Sequence, residues 1–357
     1  MELNIIISYL IISIMASLAI NSVLRNFAKQ KSILVDIPDR SRKFHKRATP
    51  LTGGIGILLA VAVSTEIYLN LNNLQGYLPE FSQKLYFASI PLLLLFLFDD
   101  FKSLKPIVRL FIQIILSLYV IFSTDIYLAN FGNLFGFGVV DLGIFGIPIT
   151  VFCVVGIMNA FNMIDGINGL CAGSAVMALL FTGFYSGLMY DSILMILIGS
   201  VIGFLIFNLR FFGKKRGVFL GDSGSNLIGF WVAWIAIFSS QNTLYQVEPI
   251  TMLWFVSIPL LDCIGLIVSR ISQGIGITSP GRDHIHHKLM LRYSPEGALG
   301  IILLISFFAG LFGVFLDNNF APWISTYLFM VYSANYYLFA YKYKSIREGL
   351  VKNVQFF

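Results

Sequence analysis

Long apolar runs, interrupted by short polar stretches, extend from one end of the chain to the other. A helix crosses the hydrocarbon core of a bilayer with about 20 apolar residues, and its backbone groups must bond within the segment because lipid offers no partners. The pattern therefore predicts an all-α, polytopic integral membrane protein. About eleven transmembrane helices are expected, over residues 3–24, 51–70, 82–98, 107–128, 147–164, 169–189, 192–209, 219–239, 250–269, 298–316 and 322–341. The glycine-rich segment 130–146 predicts a turn or hairpin.

Composition agrees with this pattern. Of the 357 residues, 57% are hydrophobic and 12% are charged, which is about half the charged share of a soluble domain. No separate soluble domain or low-complexity tract is visible, so residues 1–357 are expected to form a single transmembrane domain. The first apolar run lacks the basic residues that precede a cleaved signal peptide, and is taken as a span. The three cysteines lie in or beside apolar runs, without the spacing of a disulfide framework or metal knuckle.

Basic residues predict the orientation. All 24 lysines and arginines except Lys84 lie in the segments 25–47, 102–109, 210–216, 270–292 and 342–352. Cytoplasmic loops collect such residues, so the N-terminus is expected outside and the C-terminus in the cytoplasm, in a multi-pass protein of the inner (plasma) membrane. The net charge of +6 then reflects orientation and a phosphate-binding surface. The sequence has no basic stripe or aromatic platform that would indicate a nucleic-acid partner.

Polar residues at membrane depth are energetically costly, so their positions point to function. Four clusters are present, and the predicted topology places all of them at the cytoplasmic face. A transport path would spread such groups through the depth of the membrane, whereas gathering at one face favours an enzyme. The clusters are Asp99–Asp100, then Asn159, Asn162, Asp165 and Asn168, then Asp222, and finally Arg282, Asp283, His284, His286, His287 and Lys288.

The first cluster joins two carboxylates to basic residues. Adjacent carboxylates can hold a divalent cation, or one can act as a base whose pKa its neighbour sets. Lys102, Lys105 and Arg109 follow within ten residues and could meet a diphosphate. The alternative is an acid pair at a helix end that faces water.

Two further motifs suit a nucleotide and a metal ion. In MNAFNMIDGINGL, amide and carboxylate side chains suit a nucleobase and ribose, and the glycines allow close approach to the backbone; a structural turn is the alternative. In FLGDSGSNLIGF, Asp222 offers the hard oxygen ligand that Mg²⁺ prefers. The alternative there is a capping aspartate among small residues that pack against other helices.

The motif GRDHIHHKL holds three of the four histidines. Such spacing could bind zinc, but Arg282 and Lys288 flank it, and their positive field favours phosphate over a cation. The fourth histidine, His45, lies in a basic stretch before TGGIG, where the glycines suggest helix contacts. Asp262 is a further buried acid that could brace the site.

These motifs, in this order, resemble the polyprenyl-phosphate N-acetylhexosamine-1-phosphate transferases, the bacterial glycosyltransferase 4 family. The resemblance runs from RKFH through PLTGGIG, LFDD, NAFNMIDGINGL, GDSGS and IPLLD to RDHIHH. The HIHH pattern after an arginine is most similar to the undecaprenyl-phosphate N-acetylglucosamine-1-phosphate transferase branch.

The resemblance implies transfer of N-acetylhexosamine-1-phosphate, with N-acetylglucosamine expected, from a UDP-sugar to undecaprenyl phosphate. UMP would be released, and cell-envelope polysaccharide synthesis, such as that of O-antigen or teichoic acid, would begin. Asp222 would bind Mg²⁺, with Mn²⁺ as an alternative, and Asp99 and Asp100 would be the catalytic pair that prepares the lipid phosphate. The implied substrate-binding residues are Lys102, Lys105, Arg109, Asn159, Asn162, Asp165, Asn168, Arg282, His284, His286 and His287.

Four questions stay open at this point. The lipid phosphate could attack the sugar phosphate directly, or an aspartate could first form a covalent intermediate. Asn168 stands where many members of the family have an aspartate, which leaves the sugar and nucleotide preference undecided. A homodimer and a monomer are both compatible with the sequence. The alternatives from other classes are a transporter or flippase of a phosphate-bearing lipid, and an alcohol phosphotransferase with a CDP-linked donor, whose clustered aspartate motif the sequence lacks.

The distribution of basic residues makes a direct prediction about topology. A cysteine introduced near Lys344 should resist a membrane-impermeant thiol reagent in intact cells, because the tail is expected in the cytoplasm. A cysteine introduced beside Lys84 should react. The reverse pattern would contradict the predicted orientation.

Overall fold

A computed structural model shows a helical bundle. The structure describes residues 3–37, 48–73, 78–102, 104–188, 191–242, 244, 247–276, 281 and 283–342. Arg282 and His45 lie outside these ranges, so the predictions made for them stay untested.

Thirteen α-helices and one two-stranded antiparallel pair form the described fold. The helices are α1 (Leu3–Lys31), α2 (Gly53–Leu71), α3 (Glu80–Phe101), α4 (Pro106–Thr124), α5 (Gly146–Ile164), α6 (Leu170–Ser186), α7 (Ser192–Asn208), α8 (Gly221–Gln241), α9 (Pro249–Phe255), α10 (Ser257–Ser272), α11 (Ile285–Leu289), α12 (Pro295–Asn319) and α13 (Pro322–Tyr337). The strands β1 (Val35–Asp36) and β2 (Thr49–Pro50) pair after α1.

The all-α, polytopic membrane prediction is confirmed in outline. Among the described residues, six helices are long and apolar enough to cross a membrane: α1, α2, α3, α4, α5 and α12. The pair α9 and α10 would make a seventh span if it crosses as one bent unit, and α6 and α7 are shorter apolar helices. A helix or a bent pair occupies each predicted interval, but the count of about eleven spans stays a prediction.

The predicted span 250–269 is not one straight helix. It is broken at Val256 into α9 and α10, whose axes differ by 85°. Pro259 lies just beyond the break, and it has no amide hydrogen to donate to the carbonyl of Phe255 four residues earlier. The missing hydrogen bond weakens the helix at this point, which favours a bend here.

The predicted turn or hairpin over residues 130–146 is confirmed. Asn130 and Asp141 form an isolated antiparallel bridge. Next to it, the amide of Phe131 donates to the carbonyl of Val140 at 3.0 Å. This hairpin lies between α4 and α5.

Helix α8 lies at the centre of the bundle and packs against α2, α3, α5, α6 and α9. Its tryptophans, Trp231 and Trp234, are almost fully buried. The indole Nε1 of Trp231 donates to Oγ of Ser89 on α3 at 2.8 Å. This bond satisfies a buried donor that would otherwise destabilise the core.

Glycines let α2 and α8 meet backbone to backbone, as the TGGIG motif suggested. A Cβ at Gly54 would lie 2.7 Å from the amide nitrogen of Gly224. The amides of Gly53 and Gly54 donate to the carbonyls of Phe219 and Leu220, at 3.0 and 3.3 Å. These contacts fix the start of α8 against the start of α2.

The long helix α1 packs against α7 through small residues on both sides. Gly199 and Gly203 of α7 face Ser13 and Ser17 of α1. The hydroxyl of Ser17 donates to the carbonyl of Ser200 at 2.7 Å. Small residues spaced four apart are the usual means by which membrane helices approach closely.

This packing predicts that Gly203→Ala destabilises the protein. The added Cβ would lie 2.5 Å from Cβ of Ser17 and 2.7 Å from the carbonyl oxygen of Ile14, so the two helices must separate. Overpacking of this kind costs about 1–3 kcal/mol, which thermal unfolding in detergent would measure. Gly300→Ala is the matched control because nothing lies within 4 Å of its added Cβ. Equal melting temperatures for the two variants would contradict the packing described.

Candidate active site at the helix ends

The site is built around the first turn of α8, whose free amides need acceptors. Asp100, near the end of α3, provides them. Its Oδ1 accepts from the amide of Asp222 at 2.9 Å, and its Oδ2 from the amide of Ser223 at 3.3 Å. Gly221 adopts φ +78, and a Cβ there would lie 2.9 Å from Oδ2 of Asp100. The carboxylate therefore joins α3 to the positive end of the α8 dipole.

Asp99 occupies a different environment from Asp100. It is buried, and its Oδ1 accepts from the amide of Leu104 at 2.6 Å. Its Oδ2 lies 2.9 Å from Nε of Arg109, and Nη1 of the same guanidinium lies 3.3 Å from Oδ2 of Asp222. Arg109 on α4 thus bridges two carboxylates that are far apart in the sequence.

Asp222 is the carboxylate of this group that is most open to a ligand. Its side chain is 43% exposed, whereas that of Asp99 is fully buried. Its Oδ1 accepts from Nδ2 of Asn162 at 3.2 Å. The same amide nitrogen lies 2.9 Å from the hydroxyl of Ser225. The predicted cluster on α5 therefore meets the start of α8.

A buried amide network supports Asp222 from below. Nδ2 of Asn226 donates to the carbonyl of Asp222 at 2.9 Å, and its Oδ1 accepts from Gln113 at 2.8 Å. Oε1 of Gln113 then accepts from Nδ2 of Asn159 at 3.0 Å. Gln113 is not among the site residues that the sequence predicted. Its position could have indicated this part, because it is a polar residue one helical turn after Arg109 in a largely apolar span.

Asp165 and Asn168 lie in the turn between α5 and α6. Asp165 is exposed to solvent. The pKa of its carboxyl is raised, because the packing of protein around the turn limits its hydration and the carboxylates of Asp222 and Asp100 lie near it. Asn168 is half-buried. The amide of Gly169 donates to Oδ1 of Asn208 at 2.6 Å, which ties this turn to the end of α7.

The three late histidines form a second group that reaches the same turn. The rings of His286 and His287 are 4.1 Å apart, and that of His284 is stacked 5.5 Å from His286. His286 is buried directly over Gly166, where a Cβ would overlap its Nε2. Burial, reinforced by His287, lowers the pKa of His286 to about 3, so this ring is neutral near pH 7.

Asp262 braces this histidine group. Its Oδ2 lies 2.8 Å from Nδ1 of His284, and its Oδ1 accepts from the amide of Ile285 at 3.0 Å. Both groups are buried. The brace that the sequence left undefined therefore acts on the start of α11.

The remaining basic residues of the first cluster lie at the edge of the site. Lys102 follows α3, Lys105 precedes α4, and both are exposed. Their ammonium groups are free to meet an anion that approaches the junction of the two helices.

Oxygen donors rather than nitrogen donors suit a metal here. Within the described ranges, no three histidine, cysteine, aspartate or glutamate side chains converge to ligate a metal. The hypothesis that the histidine motif binds zinc therefore gains no support. Mg²⁺ commonly uses one or two carboxylates and takes its other oxygens from water and substrate phosphate. Asp222, open and flanked by Asn162, fits that donor set.

Comparisons with known proteins show to which family the chain is similar. Residues 82–240 match glycosyl transferase family 4. A Yersinia pestis protein named undecaprenyl-phosphate alpha-N-acetylglucosaminyl 1-phosphate transferase is 33% identical over 309 residues, which cover 84% of this chain and 81% of its own. Proteins of the same name from Escherichia coli (strain K12) and Haemophilus influenzae are 32% and 36% identical, over 84% and 72% of this chain and 81% and 72% of their own. The family resemblance seen in the motifs is confirmed.

The contact between Gly166 and His286 predicts an energetic coupling between the two motifs. Gly166→Ala should destabilise the protein by about 1–3 kcal/mol, because the added methyl overlaps a buried ring. His286→Ala removes the ring, so Gly166→Ala should lower the stability less in that variant than it does in the wild type. Thermal unfolding of the four proteins would give the coupling, with Gly156→Ala as a control in open space. Strictly additive effects would contradict the contact.

Proposed function

The chain belongs to glycosyl transferase family 4, and we propose that it transfers N-acetylglucosamine-1-phosphate from UDP-N-acetylglucosamine to undecaprenyl phosphate. An oxygen of the lipid phosphate attacks the phosphorus that carries the sugar. The bond from that phosphorus to the UMP oxygen breaks, and UMP leaves. The product is a lipid diphosphate that carries the sugar, the first intermediate of a cell-envelope polysaccharide.

One observation carries this proposal. Relatives with this named activity are about one-third identical across 81% of their length. The polar motifs that the sequence singled out also converge in space, since Arg109, Asn162 and Asp100 all contact Asp222 or its amide. The substrates are both anionic, and a site that gathers cations and hard oxygen ligands at helix ends suits them.

Asp222 is the proposed Mg²⁺ ligand, with Mn²⁺ as a substitute. Nη1 of Arg109 lies 3.3 Å from its Oδ2, and Nδ2 of Asn162 lies 3.2 Å from its Oδ1. These contacts orient the carboxylate, which is still nearly half exposed and so accessible to a metal ion. When bound, the metal ion supplies positive charge that offsets the charge of the diphosphate and of the departing UMP.

Asp99 and Asp100 are the proposed catalytic pair for the lipid phosphate. Their contacts support an orienting contribution, because Asp99 holds Arg109 and Asp100 holds the first amides of α8. Lys102 and Lys105, exposed beside them, are proposed to attract the lipid phosphate. Arg109 is proposed to meet the diphosphate from the side that its ion pairs leave open.

The turn after α5 is the proposed nucleotide site. Asp165 faces solvent there and suits a ribose hydroxyl or base donor, and Asn168 adds an amide donor and acceptor. Asn162 adds its Oδ1 acceptor, since its amide nitrogen is bonded to Asp222 and Ser225. Asn159 is bonded to Gln113 and to the carbonyl of Val155. Its part in substrate binding is therefore proposed to be indirect, through the network below Asp222.

The histidine motif is the proposed site for the diphosphate and sugar. His287 is half-buried and can reach a ligand, whereas His286 packs over the nucleotide turn. His284 is held by Asp262. Arg282 is proposed to supply a cationic contact to the same phosphates, as the resemblance implies.

The reaction is proposed to take place at the cytoplasmic face of the plasma membrane. The basic loops predict this side, and the site groups lie at helix ends, with the ends of α3 and α5 beside the start of α8. The relatives are named as transferases, so the transporter alternative gains no support. The sequence and the fold are compatible with either a monomer or a homodimer.

The proposed roles of Asp222 and His287 predict two different defects. Purified protein with undecaprenyl phosphate and UDP-N-acetylglucosamine should release UMP only when Mg²⁺ or Mn²⁺ is present. Asp222→Asn should lower turnover on the order of a hundredfold and raise the metal requirement, because it removes the open carboxylate. His287→Ala should raise the KM for the UDP-sugar and leave the metal requirement unchanged.

Separate titrations of Mg²⁺ and UDP-sugar on each folded variant would distinguish these outcomes. Full activity in EDTA, or no activity with any UDP-sugar, would reject the proposed reaction. A raised metal requirement in His287→Ala alone would mean that the histidine motif holds the metal.

A further inference from the structure

Asp262 is a buried carboxylate with an unusually complete set of partners. It lies within α10 and is fully buried. Its Oδ1 accepts from the amide of Ile285 at 3.0 Å and from the hydroxyls of Tyr336 and Tyr341 at 3.1 and 2.7 Å. Its Oδ2 lies 2.8 Å from Nδ1 of His284. A buried carboxylate needs such partners to remain ionised.

The two tyrosines come from the C-terminal end of the described fold. Tyr336 is in α13, and Tyr341 lies in a short π-helical turn that continues it over Leu338–Lys342. The hydroxyl of Tyr341 also lies 2.9 Å from the backbone carbonyl of Asp262. The C-terminal helix thus reaches the residue that holds the histidine motif.

The ring of Tyr341 is fixed from two sides. A Cβ at Gly265 would lie 2.6 Å from its Cε2, so α10 presents a glycine where the ring packs. On the other side, Nζ of Lys288 lies 3.7 Å from the ring centroid and donates to the carbonyl of Ala340 at 2.5 Å. The same lysine belongs to the histidine motif, so both of its contacts connect the C-terminal segment to that motif.

These contacts determine which nitrogen of His284 is left for a ligand. A carboxylate only accepts hydrogen bonds, so Nδ1 of His284 carries the proton that it donates to Asp262. Nε2 is then the nitrogen that remains. The pairing also fixes the plane of the ring, which is stacked on His286 with only 8° between the planes. Carboxylates commonly orient a functional histidine in this way.

We propose that Asp262, Tyr336 and Tyr341 are positioning residues that hold His284 in the orientation needed to bind the diphosphate of the sugar donor. The C-terminal helix is then part of the active site, although it contributes no group that touches substrate. What His284 binds rests on the function proposed above, whereas its positioning does not.

Tyr341→Phe is the sharpest test because it removes the hydroxyl and leaves the packed ring. We expect the KM for UDP-N-acetylglucosamine and the Kd for UDP each to rise about tenfold, while kcat changes by less than about threefold. Tyr337→Phe is the matched control: it removes a hydroxyl from the same helix, and the described bonds to Asp262 come from other residues. Equal KM values for wild type and Tyr341→Phe, or equal defects in the two variants, would overturn the proposal.

A second measurement tests the positioning without any substrate. The chain has four histidines, so selective ¹⁵N labelling gives a readable spectrum, and His284→Gln identifies the His284 signal. In Tyr341→Phe the Nδ1 proton of His284 should move downfield, because Asp262 loses a competing donor. An unchanged signal would reject the positioning role. If the wild type neither binds UDP nor turns over a UDP-sugar, the proposed function fails while this signal still decides the positioning.

Discussion

The first turn of α8 is the constraint on which the rest of the site depends. Its amides need acceptors, and the chain supplies them from Asp100 on a different helix. The same turn presents Asp222, whose carboxylate is held by Arg109 and Asn162. One helix start therefore collects residues from α3, α4 and α5. The glycine contacts between Gly54 and Gly224 bring α2 to the same point and leave no room for it to shift.

Burying polar groups among apolar helices is costly, and below Asp222 the protein offsets that cost by pairing them. Gln113 and Asn226 are both buried and bond to each other at 2.8 Å. Each also bonds to a site element, Gln113 to Asn159 and Asn226 to the carbonyl of Asp222. A satisfied network of this kind is rigid, because breaking any bond leaves a buried group unpaired. Rigidity below Asp222 suits a site that must hold charged groups in fixed places before substrates arrive.

The second half of the site is carried by the late histidines and reaches the turn after α5. His286 packs over Gly166, between the proposed diphosphate and nucleotide regions. Any side chain at residue 166 would overlap the His286 ring, and this contact explains why a glycine follows Asp165. The bend between α9 and α10 begins the helix that carries Asp262, which in turn holds His284. The site therefore consists of two sets of contacts, one around Asp222 and one around the late histidines, which meet at the turn between α5 and α6.

The sequence by itself determined the membrane character, the positions of the helices, the polar motifs and the family, because apolar run length and local motifs are properties of neighbouring residues. It also indicated that Asp99, Asp100, Asn162 and Asp222 belong together. Only the tertiary structure decided which partner each carboxylate has. Asp100 accepts hydrogen bonds from amides of α8, Asp99 pairs with Arg109, and Asp222 remains accessible to a ligand. The tertiary structure also decided the break at Val256, the part played by Gln113 and the link from Tyr341 through Asp262 to His284. These facts depend on which residues meet across helices far apart in the chain, and neither periodicity nor hydropathy records such contacts.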